Sequence, residues 1–197
     1  MARKASLTRR TEETNISVSL DLDGRGVFEG TSGLGFLDHM LRLWAAHGLF
    51  DLALTVQGDL EVDAHHTVED LGLCLGRAWK QALGEGRGIR RYGQALLPMD
   101  EALVLVAVDL SGRPFLAYDV PVGVPRLGAL DAELVPEFLR AFVREAGLTL
   151  HLRKLAGENG HHLVEAVFKG LGQALRQAAS LDPRLEGVPS TKGTLGW

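Results

Sequence analysis

The sequence predicts an α+β fold made of two similar halves, in which mixed or antiparallel sheets are covered by helices. One observation behind this prediction is a seven-residue motif that occurs twice, as Asp63–Glu69 and as Asn159–Glu165, with His-His-x-x-Glu in both copies. The other is that the segments before the two copies repeat the same order of elements. We therefore predict an internal duplication of two β-β-α-β-α halves, residues 1–86 and 87–197, related by a pseudo-twofold axis.

The first half contains each predicted element in turn. Alternating apolar residues predict strands, Gly and Asp mark a tight turn, and an apolar stripe of helical period predicts helices. In chain order these are a strand at Ile16–Leu22, a turn at Asp23–Gly26, a strand at Gly26–Gly30, a helix at Phe36–Trp44, a strand at Leu49–Val56 and a helix after Asp63.

The second half repeats this order. Its elements are a strand at Val104–Leu110, a turn at Ser111–Pro114, a strand at Pro114–Val120, a helix at Leu134–Phe142, a strand at Leu148–Leu155 and a helix after Asn159. Between the halves, Leu83–Glu101 is rich in Gly and contains Pro98, so we expect it to be a connection.

Composition excludes several classes of protein. The chain has 197 residues, is 46% hydrophobic and 23% charged, and carries a net charge of −4, which is no footprint for nucleic acid. No apolar run approaches the roughly 20 residues that span a bilayer, and no signal peptide is recognisable, so we expect a cytoplasmic protein without membrane contact. The single cysteine, Cys74, lies among apolar helix residues and is expected to be a core residue.

The repeated motif carries the chemistry. Asp63 and Asn159 are typical helix N-cap residues, so both motifs are expected in the first turns of helices. On a helix the Glu lies on the same face as either His, whereas the two adjacent imidazoles point roughly 100° apart. Each motif should therefore serve two metal sites. Solvated side chains at a helix start would explain one motif, but they would not explain its recurrence.

Two further residues extend the candidate ligand set. His39 and Glu137 occupy matching places on the first helix of each half. Eight candidate ligands give four per metal, which leaves two positions of an octahedral site open for catalysis. His151 is an alternative to Glu137, but it lies on the polar face of a strand. The eight candidates are His39, His65, His66, Glu69, Glu137, His161, His162 and Glu165.

The whole chain resembles the imidazoleglycerol-phosphate dehydratase family. The residues that carry the resemblance are Thr11–Thr14, Phe36–Leu41, His47–Asp51, Asp63–Asp70, Gly88–Gly93, Met99–Ala102, Asp109–Pro114, His161–Lys169 and Pro189–Gly193. The resemblance implies a fold like domain 2 of ribosomal protein S5, two Mn²⁺ ions per active site, and a homo-oligomeric shell of 24 subunits with sites between subunits. It also implies dehydration of imidazole glycerol phosphate to imidazole acetol phosphate and water in histidine biosynthesis.

The resemblance assigns roles to further residues. Glu13 becomes the candidate general acid/base, with Glu69 or Glu165 as supplementary catalytic groups; without the resemblance, Glu13 would be a charge on a ragged N-terminal strand. The substrate-binding residues implied are Glu13, His39, His47, His65 and Glu69, and on the phosphate side Arg91, Arg113, Ser190, Thr191 and Lys192. A metal-stapled assembly or storage protein remains the alternative, whereas a di-metal carboxylate oxidase would use more Glu than His.

Overall fold

The computed structural model describes residues 2–196 and contains two halves with the same order of main elements. Each half runs β-β-β-α-β-α. In the first half the elements are β1 (Lys4–Arg10), β2 (Thr14–Asp21), β3 (Phe28–Thr31), α1 (Gly35–Gly48), β4 (Asp51–Gly58) and α2 (His65–Leu83).

The second half adds a short hairpin, β8 and β9, between its third strand and its first helix. The first half has only three residues at the equivalent place, between Thr31 and Gly35. The elements of the second half are β5 (Tyr92–Met99), β6 (Ala102–Asp109), β7 (Phe115–Asp119), β8 (Arg126–Leu127), β9 (Leu130–Asp131), α3 (Leu134–Ala146), β10 (Thr149–Ala156) and α4 (Gly160–Ala179).

The two four-stranded sheets have identical topology. Their strand orders are β1-β2-β4-β3 and β5-β6-β10-β7. In each sheet the first three strands pair antiparallel and the last strand pairs parallel to its neighbour, β3 with β4 and β7 with β10. The predicted α+β class, with mixed sheets covered by helices, is confirmed. Among residues 2–196 no helix is long and apolar enough to cross a bilayer.

Apart from the β8–β9 hairpin, which the sequence did not predict, each half has one strand more than predicted. β1 was missed because only Ala5 and Leu7 alternate with its polar residues, so its apolar signal is weak. β5 lies inside the predicted connection Leu83–Glu101, where the Gly residues and Pro98 indicated a loop. Both are edge strands, which tolerate proline and need only one partner. The predicted β-β-α-β-α unit is therefore β-β-β-α-β-α.

The helices of the two halves pack against each other between the sheets. α1 packs on α4 and α2 packs on α3, while α2 also covers β1 and β2, and α4 covers β5 and β6. Burial of apolar side chains is the dominant favourable term in folding, and this arrangement buries the helices on several sides. The side chains that meet where all four helices approach are Leu41, Trp44, Leu75, Phe138, Phe142 and Leu171.

Glycines allow the helices to approach this closely. A Cβ at Gly172 of α4 would lie 2.5 Å from the carbonyl oxygen of Trp44 in α1. At Gly76 of α2 a Cβ would lie 2.5 Å from the carbonyl oxygen of Phe142 in α3. Both are backbone contacts, so a side chain cannot be accommodated by rotating a neighbour. The two glycines occupy corresponding places in the repeated motif helices, which supports the pseudo-twofold relation between the halves.

Gly172→Ala should lower the free energy of unfolding. Alanine favours a helix over glycine by about 1 kcal/mol, but overpacking a close crossing costs about 1–3 kcal/mol and should dominate. Gly35→Ala is the matched control, because nothing lies within 4 Å of a Cβ there. Urea unfolding should show a lower midpoint for Gly172→Ala and an unchanged or slightly higher one for Gly35→Ala. Equal midpoints would contradict the close α1–α4 crossing.

Candidate functional site

One cluster of metal-ligating side chains joins the two halves. His39 on α1 meets His161 and Glu165 on α4, and one ligand atom from each of these residues lies within 4.8 Å of the others. Nε2 of His161 is 3.2 Å from Oε2 of Glu165, and Nε2 of His39 is 3.7 Å from the same oxygen. We call this group the triad. Among residues 2–196 it is the one group of three or more such side chains that gathers in this way.

Local structure places the two α4 residues of the triad on one face. Asn159 caps the helix, because its side-chain oxygen accepts hydrogen bonds from the backbone N–H of His161 and of His162. His161 therefore lies in the first turn, and Glu165 follows four residues later on the same side. The close approach of α1 at Gly172 then brings His39 beside them.

An apolar wall flanks the triad. The ring of Phe36 stands edge-on to the His161 imidazole, with centroids 5.3 Å apart and an angle of 83° between the planes. Val122 and Val124, from the segment before the β8–β9 hairpin, lie so close to Gly160 that a Cβ there would clash with both. Phe36 therefore packs on one side of His161, and the two valines pack on the residue before it.

Glu165 is held as a carboxylate mainly by the ammonium group of Lys169. It is 7% exposed, and Nζ of Lys169 lies 2.5 Å from its Oε1. Burial acts to raise the pKa of Glu165, but the hydrogen bond from Lys169 and the nearby His39 and His161 rings bring the pKa below its usual value. Burial lowers the pKa of His47, and the Lys169 ammonium lowers it further, so His47 favours its neutral form.

The second histidine of each motif lies between carboxylates outside the triad. In the first half, Nδ1 of His66 is 2.9 Å from Oδ2 of Asp59, and its Nε2 is 3.7 Å from Oε1 of Glu13. The hydrogen bond with Asp59 raises the pKa of His66. Glu13, the predicted acid/base, therefore lies beside a predicted metal ligand.

His162 has a similar environment in the second half. Its Nδ1 is 2.7 Å from Oε2 of Glu101, and its Nε2 is 3.8 Å from Oδ2 of Asp100. The hydrogen bond with Glu101 raises the pKa of His162. The same bond, with help from the backbone N–H of Asn159, lowers the pKa of Glu101 to about 2.

The structure does not gather the remaining predicted ligands within one chain. Oε1 of Glu69 lies 3.7 Å from Nη2 of Arg144, and Glu137 forms an ion pair with Arg140 on its own helix. His65 is exposed at the start of α2. The first motif therefore lacks a counterpart of the triad, although α2 packs on α3 as α4 packs on α1.

Asp63 was predicted to be the N-cap of the second helix, and this is wrong by one position. α2 begins at His65, and its N-cap residue is Ala64, which has no side-chain cap. The Asp63 carboxylate still accepts a hydrogen bond from the backbone N–H of His65 at 2.7 Å.

His151, the alternative ligand, is exposed on the outer face of β10 beside Phe115.

The predicted phosphate-side residues converge at a different place. The Arg91 guanidinium binds Asp109 through two hydrogen bonds and donates a third to the carbonyl oxygen of Pro189. The exposed guanidinium of Arg113 also approaches Asp109, at 3.5 Å. The C-terminal segment is anchored nearby by Leu195, which is 3% exposed. Basic groups, hydroxyls and backbone N–H groups therefore surround one surface; its members from the C-terminal segment are Ser190, Thr191 and Lys192.

This phosphate side lies far from the triad in the same chain. The backbone N–H of Arg91 bonds to the carbonyl of Ala178 near the end of α4, whereas His161 lies at its start. α4 rises about 1.5 Å per residue, so these ends are roughly 25 Å apart. β6 gives the same result, because it separates Glu101 from Asp109 by roughly 25 Å at about 3.3 Å per residue. One small substrate cannot contact both places in one chain.

Sequence reasoning missed three carboxylates that contact motif histidines: Asp59, Asp100 and Glu101. One signal was available. β2 and β6 are corresponding strands of equal length, so Glu13 and Glu101, the residues just before them, are equivalent positions of the two halves. Asp59 lies outside the motif, and its counterpart in the second half, counted through the bulge in β10, is the exposed Glu158.

Comparison with known proteins assigns the family. A sequence model of imidazoleglycerol-phosphate dehydratase matches residues 31–175, which cover most of both halves and the whole triad. The chain belongs to the imidazoleglycerol-phosphate dehydratase family. It is therefore an enzyme of the hydro-lyase class, and its family carries out a dehydration in histidine biosynthesis.

Relatives of this dehydratase family match along nearly the whole chain. The imidazoleglycerol-phosphate dehydratase of Moorella thermoacetica is 60% identical over 195 residues, which are 99% of this chain and 100% of the relative. The crystal structure of the Staphylococcus aureus dehydratase superposes with a TM-score of 0.83 at 35% identity, covering 91% of this chain and 99% of that one. The structure of the Pyrococcus furiosus enzyme superposes with a TM-score of 0.82 at 40% identity, covering 96% of this chain and 100% of that one.

Proposed function

We propose that the protein converts imidazole glycerol phosphate to imidazole acetol phosphate and water, and that the reaction requires a divalent metal. The observation that carries the metal requirement is the triad, in which two imidazoles and one carboxylate meet across the two halves. The names of the relatives support this substrate, since the proteins that match nearly the whole chain are named imidazoleglycerol-phosphate dehydratase.

The donor set of the triad fits Mn²⁺. Imidazole nitrogens and carboxylate oxygens are borderline and hard ligands, and an octahedral ion with three such donors keeps positions open for substrate or water. We propose two Mn²⁺ ions per active site. His39, His161 and Glu165 would hold one ion, and the first motif, with His65, His66, Glu69 and Glu137, together with His162, would complete the ligand set between subunits. When bound, the ions act as Lewis acids on the imidazole ring of the substrate.

The other residues have roles that follow from their surroundings. Glu13 is exposed next to Nε2 of His66, so it can exchange protons with a bound substrate as general acid/base. Glu69 and Glu165 are the supplementary candidates, although Glu165 is engaged by Lys169. Lys192 is exposed, and the Arg113 guanidinium is largely exposed although it lies 3.5 Å from Asp109, so both can offer positive charge to the phosphate, while Arg91 holds Asp109 and Pro189 in place.

We also propose that the active sites lie between subunits. The 25 Å that separates the triad from the phosphate side within a chain supports this proposal, because the phosphate of a substrate bound at one triad must be held by another chain. A 24-subunit assembly in the cytoplasm is the form that we expect from the family resemblance. A storage or purely structural role would not explain why basic groups and hydroxyls gather on the phosphate side.

Chelation should abolish the dehydratase activity. Protein freed of metal should be inactive toward imidazole glycerol phosphate, and added Mn²⁺ should restore turnover, measured as imidazole acetol phosphate formed. Zn²⁺ should compete with Mn²⁺ for the sites, because His-rich sites bind Zn²⁺ more tightly. Full turnover in protein shown to be metal-free would refute the metal requirement, and a metal-loaded protein inactive on this ester would refute the substrate.

Glu13→Gln should lower turnover by on the order of a hundredfold or more, the usual scale for the loss of general acid/base catalysis. Metal content, measured by elemental analysis, should stay near that of the unaltered protein. Glu12→Gln is the matched control, since it removes the neighbouring exposed carboxylate. His66→Ala should instead lose metal. If Glu13→Gln strips the metal or leaves turnover unchanged, Glu13 is not the acid/base.

A further inference from the structure

The second histidine of each motif is held through the same ring nitrogen. Nδ1 of His66 faces Oδ2 of Asp59 at 2.9 Å, and Nδ1 of His162 faces Oε2 of Glu101 at 2.7 Å. Both are short, charge-assisted contacts. In each case the contact engages Nδ1 and leaves Nε2 as the nitrogen available to another ligand.

The duplication did not copy these contacts. Asp59 directly follows Gly58 of β4, and the bulge in β10 makes Gly157 the counterpart of Gly58, so the counterpart of Asp59 is the exposed Glu158. Glu101 directly precedes β6, and its equivalent before β2 is Glu13, which faces the other nitrogen of His66. The two halves therefore reach the same Nδ1 contact with residues from different positions. A common requirement of both histidines explains this better than inheritance from one ancestral half.

The surroundings of Asp59 point to a positive charge near the His66 ring. The Asp59 side chain is only 18% exposed, and its Oδ1 is buried without a hydrogen-bond partner among residues 2–196. A carboxylate oxygen left in this way is costly unless positive charge lies nearby. A cation bound at Nε2 of His66 would provide it. Glu101 is better satisfied, because its Oε1 also accepts from the backbone N–H of Asn159 at 3.0 Å.

A histidine that binds a metal commonly donates its other ring N–H to a carboxylate, which fixes the tautomer and the ring orientation. We propose that Asp59 and Glu101 are positioning residues of this kind, each accepting from Nδ1 of its histidine so that Nε2 can ligate a divalent cation. The proposal rests on the metal dependence proposed above. It extends the site to two carboxylates that lie outside both His-His-x-x-Glu motifs.

Manganese binding measures this role without any turnover. Asp59→Asn and Glu101→Gln keep the shape of each side chain and remove its charge. Protein freed of metal is titrated with Mn²⁺ alone, and binding is measured by calorimetry or by the electron paramagnetic resonance signal of unbound Mn²⁺. The two variants should bind Mn²⁺ about 10–100-fold more weakly at the affected sites. Glu61→Gln and Glu158→Gln are the matched controls, because each removes an exposed carboxylate near the start of the same helix. Their affinities should stay within about twofold of the unaltered protein.

A double substitution separates positioning from general electrostatics. If Asp59 acts through His66, then Asp59→Asn should weaken Mn²⁺ binding no further in a chain that already carries His66→Ala. Additive losses would contradict the proposal, and so would unchanged affinity in folded Asp59→Asn and Glu101→Gln. Circular dichroism and particle mass establish that the variants fold. If the unaltered protein itself binds no Mn²⁺, the metal dependence fails; if it binds and the variants bind equally well, only the positioning role fails.

Discussion

The structure depends on one packing constraint, which is that the helices of each half bury their apolar faces against helices of the other half. α1 can approach α4, and α2 can approach α3, only because Gly172 and Gly76 have no side chains at the crossings. This packing fixes the pseudo-twofold relation between the halves. It also places His39 beside His161 and Glu165, so a feature of the core determines the chemistry at the surface.

The two halves share this scaffold but differ in the residues that surround their His-His-x-x-Glu motifs. Around the second motif, Phe36 of the first half packs on His161, the segment before the β8–β9 hairpin packs on Gly160, and Lys169 pairs with Glu165. The first half has no such insertion, and its Glu69 pairs with Arg144. The triad thus gathers three possible ligands within one chain, whereas Glu69 and Glu137 of the predicted ligand set pair with arginines. This asymmetry fits the proposal that the site is shared between neighbouring subunits.

Sequence patterns predicted the features that repeat along the chain and missed those that depend on three-dimensional contacts. The α+β class and the two motif helices follow from apolar periodicity. β1 and β5 were missed because edge strands need little apolar signal and tolerate Pro98. The contact of Asp59 with His66 was not predictable, because Asp59 lies outside the motif and reaches His66 only through the folded connection between β4 and α2. The distance of Arg113 from the triad was not predictable either, since it depends on the way that α4 and β6 separate the two places in the fold.

We propose that each active site combines the triad of one chain with the phosphate side of another. Glu165→Gln damages the first and Arg113→Met the second, so each variant alone should be nearly inactive. Co-expression of the two variants should restore up to about a quarter of the unaltered activity. In random assemblies about one site in four combines an intact triad, from an Arg113→Met chain, with an intact phosphate side, from a Glu165→Gln chain. Co-expressing Glu165→Gln with His161→Asn, two lesions of the same triad, should restore none. The absence of recovery in mixed assemblies of Glu165→Gln and Arg113→Met would contradict a shared site.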